Sequence, residues 1–549
     1  MKNTIVILIA LIFSVQLIFA QNSSFETEKL AITAKIWGFL KYYHPEVADG
    51  KFNWDKHLFE ILPKVKSARS KEQLAQVYLD WIESLGQVKP CKNCKPAKDV
   101  TYFYKNFNLD WITDNQLLSK QLSEKLNYIE ENRHQGKKHY VDYYSRNLKI
   151  TDFTNEIDYK GFNWEDADLR LLSLFRYWNM VEYFFPAKYQ TDMAWDEVLV
   201  KMVPKFLNPK SETDYHLAMV ELAASIDDGH VRLNTPKTYR YFGHYYLPVA
   251  FKLINDKAVV TTIYNDSLAK VNDLKIGDII TKADNKAIKT IFQEEEKYIM
   301  GSNSARKRLN ATYYTLNGAT DSLNIEVIRN GKKYTKPIKR YLYKDFKYKK
   351  NEDDTEKYKI LEGNIGYVDI GAITNVPEIM DALKNTKALI VDVRKSTSET
   401  PYHFASYITS QRRDFYKAIF PDLNYPGKFI WSKIYQSGTN NKLKYTKKVV
   451  LLVDENCQSQ REFTAMCLQV GDNVTTIGSQ TSGANGNVTI FNMVGDYKTQ
   501  FSGVGIFYPD GTENQRKGVK IDIEVKKSIE GIAAGRDEIL ERAIKFINE

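Results

Sequence analysis

Residues 449–487 read VVLLVDENCQSQREFTAMCLQVGDNVTTIGSQTSGANGN. The stretch opens on Val449–Val453, an apolar run long enough for a buried strand and too short for a helix. A tight polar turn follows, Asp454 to Gln458. Phe463, Met466, Cys467 and Val470 then fall at i, i+3, i+4 and i+7, the spacing of one buried face, which predicts a helix over 459–470. A second strand, Val474 to Ile477, ends at Gly478 and gives way to a Gly/Ser/Asn loop. Ser459 thus stands on a sharp strand-to-helix turn. Amides at a helix start lack intrahelical acceptors and carry the positive end of the dipole. They suit the oxyanion that forms when a serine attacks a carbonyl. The same letters, Ser459-Gln-Arg-Glu462, also spell a capping box. Spacing alone favours the cap.

Working outward, IGYVDIG (365–371) and KALIVDVR (387–394) read as further buried strands, with a helix over 376–384 between them. GRDEILERAIKFINE (535–549) is an amphipathic helix begun by Asp537. Residues 355–549 therefore read as one α/β layered domain, entered through a charged linker, 347–359. Before it the texture changes to short β runs, LPVAFKL, KAVVTTI, GDIITKADNKAI and DSLNIEVIRNGKK. Gly277-Asp278 opens a strand and Asn330-Gly331 turns a hairpin, so residues 240–345 form a compact β-rich module.

The N-terminal third holds an internal repeat. Trp37, Pro45, Trp54, Asp55, Pro63 and Lys64 recur as Trp178, Pro186, Trp195, Asp196, Pro204 and Lys205, each pair 141 residues apart. Apolar residues in both copies keep helical spacing, which predicts two related helical units, 22–96 and 166–239. The Tyr- and Asn-rich segment between them, 97–165, shows no clear period and reads as an irregular connection. The copies end differently. The first closes Glu83-Ser-Leu-Gly-Gln87, the second Ala224-Ser-Ile-Asp-Asp-Gly-His230. A lone turn histidine is commonly structural, but here the first copy does without it, and His230 becomes a candidate for chemistry.

Residues 1–20 carry Lys2 and a mostly apolar run, Ile5 to Ala20, too short and too interrupted for a membrane span, and read as a signal peptide. The mature chain is then expected to be exported, periplasmic or secreted, with no integral membrane segment. The 549 residues hold 43% hydrophobic and 13% aromatic side chains, enough for packed cores. The net charge of +10 is spread along the chain with acids intermixed, the pattern of a solvated surface and not of a nucleic-acid groove. No Walker loop, dinucleotide fingerprint or zinc-helix motif occurs, so neither metal nor organic cofactor is expected. Four cysteines do not make a disulfide framework. Cys91 and Cys94 are expected to form a local disulfide in an oxidising compartment; Cys467 belongs to a helix core and Cys457 to the turn before Ser459.

Taken together, a signal peptide, a helical region ending in DDGH, a PDZ-like module and a strand-turn-Ser-helix domain resemble the serine peptidases of the carboxyl-terminal processing and tricorn-core family. QSQREF, VTTIGSQTSGANG and GVKIDIEV carry the resemblance most specifically. It implies a multidomain α+β protein whose C-terminal α/β core is ClpP/crotonase-like, and it makes Ser459 the nucleophile with Glu462 left as a cap or as a support behind the site. Processing peptidases place a lysine base in the glycine-rich loop, but Ala484 stands there. The tricorn-like branch uses a histidine of the helical region and an orienting glutamate near the C-terminus. His230 matches the first; Glu513 is assigned to the second, with Gln515 in the register nearest the family pattern. The family's Asp-Leu-Arg-Gly-Asn-Pro-Gly-Gly turn appears as Asp392-Val-Arg-Lys-Ser-Thr-Ser398-Glu399, so the oxyanion donors would be the amides of Gln460 and Ser398, without the conformational freedom of the two glycines. Leu247, Pro248 and Val249 fall where a PDZ domain binds a peptide terminus, again without the usual glycines. The implied partner is a peptide or protein substrate. The rival reading is a peptide-binding pseudo-peptidase, supported by Ala484, the missing glycines and Arg461 beside the nucleophile.

Overall fold

The computed structural model describes residues 25–95, 100–114, 116–346, 357–395, 397–442 and 444–549. The expected signal peptide and most of the charged linker lie outside these residues. The chain divides into two compact units, one of residues 1–222, 420–431 and 489–499, the other of 223–419, 432–488 and 500–549. Among the described residues no helix is long and apolar enough to cross a membrane.

The first unit is built on helices, and positions 141 apart in sequence make matching bonds in it. The Trp37 and Trp54 indoles each donate to the other's carbonyl, at 3.2 and 3.0 Å. Trp178 and Trp195 do the same, at 2.9 and 3.0 Å. Lys35 pairs with Asp196 at 2.8 Å, while Arg176, its counterpart in the second half, pairs with Asp55. The segment 97–165 is more regular than its composition suggests: it holds a helix, Lys120–Glu131, and a hairpin, Val141–Ser145 with Ile150–Phe153. It also delivers Glu156, a buried carboxylate that pairs with Lys41 and Arg176. That long-range charge pairing leaves no periodic trace in the sequence. Cys91 and Cys94 are joined in a disulfide.

Two of the sheets in the second unit have six strands each. In the first, the strands run in the order Lys332–Lys339, Ser322–Arg329, Ile279–Ala283, Lys257–Ile263, Val249–Ile254, so that Val249–Ile254 is an edge strand. The helix Ser304–Asn310 packs against that edge. In the second sheet Ile365–Asp369, Ala388–Asp392, Lys448–Val453, Val474–Gly478 and Ile523–Glu524 are parallel neighbours, with Tyr358–Leu361 antiparallel at the rim. Alternate residues of a strand point to opposite faces. Val449, Leu451 and Val453 accordingly enter one core, and Val450 and Leu452 enter the other, which the helix Glu538–Asn548 covers. A strand covered on both faces must be apolar throughout, which is why VVLLV shows no alternation. The next helix is Gln460–Leu468, shorter than expected at its C-terminal end, and it buries Ala465, Met466, Cys467 and Leu468.

Candidate active site

Ser459 sits between the strand Lys448–Val453 and the helix Gln460–Leu468 with φ 57° and ψ −123°. A residue with a Cβ held there is strained by roughly 1–3 kcal/mol, and its surroundings must hold it. Its N–H donates to the Ala484 carbonyl at 2.8 Å, and its carbonyl accepts from the Phe463 amide at 3.0 Å. Its hydroxyl caps nothing. Glu462 does not cap either; of the two roles the sequence left to it, it takes the support behind the site. Fully buried, it turns to the glycine-rich loop and accepts from Thr481 Oγ1, from the Gly483 amide at 2.8 Å and from the Ala484 amide at 2.9 Å. Burial pushes its carboxyl up to about 7, with those three donors pulling the other way. The loop thus rests on Glu462 and in turn holds the Ser459 backbone. Gly483 has φ +66°, and a Cβ there would lie 2.7 Å from the Arg516 carbonyl carbon, so that position requires glycine.

The DDGH turn lies against this assembly. Gln458 Nε2 donates to the Gly229 carbonyl at 2.8 Å, and the Gly229 amide donates to Ser302 Oγ at 2.6 Å. A Cβ on Gly229 would approach the Ala484 methyl to 3.1 Å. His230, one residue on, is buried. Its Nδ1 bonds to Ser502 Oγ at 2.8 Å, and Ser502 in turn donates its hydroxyl to Asp228 Oδ1 at 2.9 Å and its amide to Oδ2 at 2.5 Å. Because the Ser502 proton is given to a carboxylate, its oxygen must accept from Nδ1–H. That tautomer leaves Nε2 with a lone pair. The Asp228 carboxylate also accepts from the His230 amide and from Gln515 Nε2, both at 3.2 Å. Burial draws the imidazole below its ordinary value of 6.5; Asp228 opposes this, and the charges of Arg232 and Arg306 reinforce it. The ring is therefore neutral at neutral pH, as a base must be.

The orienting acceptor differs from the expected one. Ser502 occupies Nδ1, while the Glu513 carboxylate accepts from Lys517 Nζ at 2.8 Å, drawn there by a cation four residues away. Gln515 enters the network at one remove, through Asp228. Asp228 was in view within DDGH, but nothing near Ser502 in sequence marks it. Among the described residues no hydrogen bond joins Ser459 to His230, as is common before substrate binds. Ser398 and Gln460 are neighbours: Gln460 Nε2 donates to the Ser398 carbonyl at 3.1 Å, and Ser398 Oγ accepts from the Thr400 amide at 3.2 Å. Arg461 braces the same turns, its Nη1 donating to the carbonyls of Arg394 at 2.9 Å and Asn456 at 3.1 Å. Ala484 is buried and its methyl carries no titratable group, so this position supplies no base. Leu247, Pro248 and Val249 are all inside; Leu247 and Val249 pack their side chains into the core of the β-rich module, which leaves their backbone as the part that would meet a peptide.

Residues 364–525 match the model of Peptidase family S41. No curated protein matches the chain in sequence. Among solved structures, mature CPAF complexed with lactacystin aligns at 13% identity with a TM-score of 0.54, over 69% of this chain and 98% of that one. Mature CPAF alone aligns at 13% identity with a TM-score of 0.53, over 70% and 98%. The photosystem II D1 C-terminal processing protease aligns at 16% identity with a TM-score of 0.37, over 66% and 96%.

Proposed function

We propose that this serine-type peptidase, whose residues 364–525 belong to peptidase family S41, is exported and cleaves peptides or unfolded protein tails with Ser459 as nucleophile and His230 as base. The observation that carries the reading is the bond chain from Asp228 through Ser502 to His230 Nδ1, which reserves Nε2 as a proton acceptor on the turn packed beside Ser459. In this mechanism Ser459 Oγ attacks the scissile carbonyl while Nε2 takes its proton. The Gln460 amide, first of its helix, and the Ser398 amide face the oxyanion. The tetrahedral adduct then collapses to an acyl-enzyme as the imidazolium protonates the leaving amine. Water, deprotonated by the same nitrogen, releases the acid and restores the serine. Asp228 acts through Ser502, in the place of the expected glutamate, and stabilises the imidazolium without accepting its proton.

Substrate docking fits the β-rich module, read as PDZ-like. Its strand Val249–Ile254 is the last of its sheet among the described residues, the position at which an extended peptide would add as a further strand. A cavity of about 610 Å³, lined by Lys252, Ser304, Arg308 and Glu455 among others, runs beside it. The test is hydrolysis of an unfolded protein such as reduced, alkylated casein by the purified chain. Cleavage by the native protein and none by a folded Ser459→Ala variant is expected; cleavage by the variant would remove Ser459 from the mechanism.

A further inference from the structure

A cavity of about 350 Å³ lies in the β-rich module and shares no residue with the cavity beside the strand Val249–Ile254 or with the catalytic turns. Three aromatic rings line it: Phe242 meets Tyr314 edge-on at 4.6 Å between centroids, and Tyr241 at 5.1 Å. Ile291 and Leu323 add apolar surface. An apolar lining with a few polar groups is what a small-molecule site requires, and such sites occupy roughly 300–1,000 Å³.

Two ionic side chains of this lining, Glu295 and Arg340, form no ion pair among the described residues. Glu295 ends the helix Ile288–Glu295, where the negative end of the dipole disfavours an anion. Its Oε2 is buried and accepts from nothing among the described residues. The nearby cations are engaged elsewhere: Lys286 donates to Glu294 at 2.7 Å, and Lys297 lies over the Tyr298 ring at 4.9 Å. Burial holds the Glu295 carboxyl above the ordinary carboxylate range, against the charge of Lys297. Arg340 gives Nη1 to the Leu316 carbonyl at 3.3 Å, and Nη2 to Thr320 Oγ1 and the Ser322 carbonyl at 2.6 and 2.9 Å. These are neutral acceptors, and its Nε, also buried, donates to nothing among the described residues. Asp284 is exposed on the same lining; it accepts from the Asn324 amide at 2.9 Å and acts on Arg340 by charge alone. A Cβ on Gly318 would lie 2.0 Å from Arg340 Nη1, so the guanidinium is held close against that turn. An acid and a base, each with a buried atom left without a partner, cost free energy that ligand groups of opposite charge would recover.

We infer that this cavity binds a small zwitterion, a free α-amino acid with an apolar or aromatic side chain, with its ammonium at Glu295, its carboxylate at Arg340 Nε and its side chain against the rings. The inference is independent of the peptidase reading, since none of these residues belongs to the catalytic network. A neutral polyol would reach the same atoms but leave both charges uncompensated, so the zwitterion fits better. Isothermal titration calorimetry on the full chain tests this with L-phenylalanine and L-leucine. The controls are L-phenylalaninamide, which lacks the carboxylate, N-acetyl-L-phenylalanine, which lacks the ammonium, and glucose as the polyol. The free amino acids should bind, the amide and the N-acetyl acid about tenfold weaker, and glucose not at all. Glu295→Gln should weaken phenylalanine about tenfold and leave the N-acetyl acid unchanged. Arg340→Lys, which keeps the charge and removes Nε, should weaken phenylalanine about tenfold and leave the amide unchanged. Should either variant fail to fold, the comparison of probes on the native protein decides alone. No binding of either amino acid up to about 10 mM, equal binding of phenylalanine and its two derivatives, saturable binding of glucose, or an affinity unmoved by a folded Glu295→Gln variant would overturn the inference.

Discussion

At the scale of single residues, the site turns on Ser502, a hydroxyl that holds a histidine on one side and a carboxylate on the other. Removing it frees Nδ1 and the choice of tautomer while leaving the nucleophile in place. Ser502→Ala is expected to lower kcat roughly 10- to 100-fold, less than the roughly 100- to 10,000-fold that general-base catalysis supplies because Nε2 itself remains, with KM changed only a few-fold; steady-state kinetics on one peptide checks this, and an unchanged kcat would remove the relay. The pH profile gives a second reading. The protonated imidazole cannot accept the serine proton, so kcat/KM should rise with pH through a midpoint below 6.5, the ordinary histidine value from which burial draws His230 down. Asp228 opposes that shift, so Asp228→Asn should move the midpoint lower still and reduce the plateau. A midpoint that moves up would mean that Asp228 does not face the ring as described.

At the scale of elements, Glu462 shows where local reading stops. Strands and helix were legible from composition and period, because an apolar run buried on both faces and a 3.6-residue stripe leave their marks in adjacent letters. The capping box was legible too, and misleading. Ser-x-x-Glu has the same letters whether the serine adopts extended backbone and caps, or φ 57° and presents its hydroxyl. What decides is the set of acceptors the glutamate finds near residues 481–484, which no local window contains. Glu462→Gln would set an amide N–H₂ against backbone N–H donors, costing about 1–3 kcal/mol and lowering kcat through the loop. The sign of its pH dependence follows from burial. The folded carboxyl titrates near 7, above its ordinary 4.5, so its contribution to stability is full below the ordinary value and is lost as pH rises through 7. Urea denaturation should therefore show the stability advantage of native protein over Glu462→Gln falling between pH 5 and pH 8, by at most roughly 3 kcal/mol. An advantage that grows over that range would contradict the assignment.

At the scale of the molecule, all the site residues discussed above belong to one of the two compact units, and the 141-residue equivalence with its indole exchanges to the other. The equivalence was visible in sequence because paired tryptophans and prolines recur without a gap. The Glu156 pairing was not, because the carboxylate comes from an unrepeated segment. The Cys91–Cys94 disulfide belongs to that first unit and the catalytic groups to the other. The double variant Cys91→Ser, Cys94→Ser is expected to keep peptidase activity within a few-fold, measured on folded protein; a collapse of activity would connect the disulfide to the site. The central claim, that Ser459 is a nucleophile activated by His230, is tested most directly by reaction with a fluorophosphonate probe followed by peptide mass mapping. The account predicts one adduct, on Ser459, formed by the native protein and absent from a folded His230→Ala variant. No adduct on the native protein, or equal labelling without His230, would contradict it.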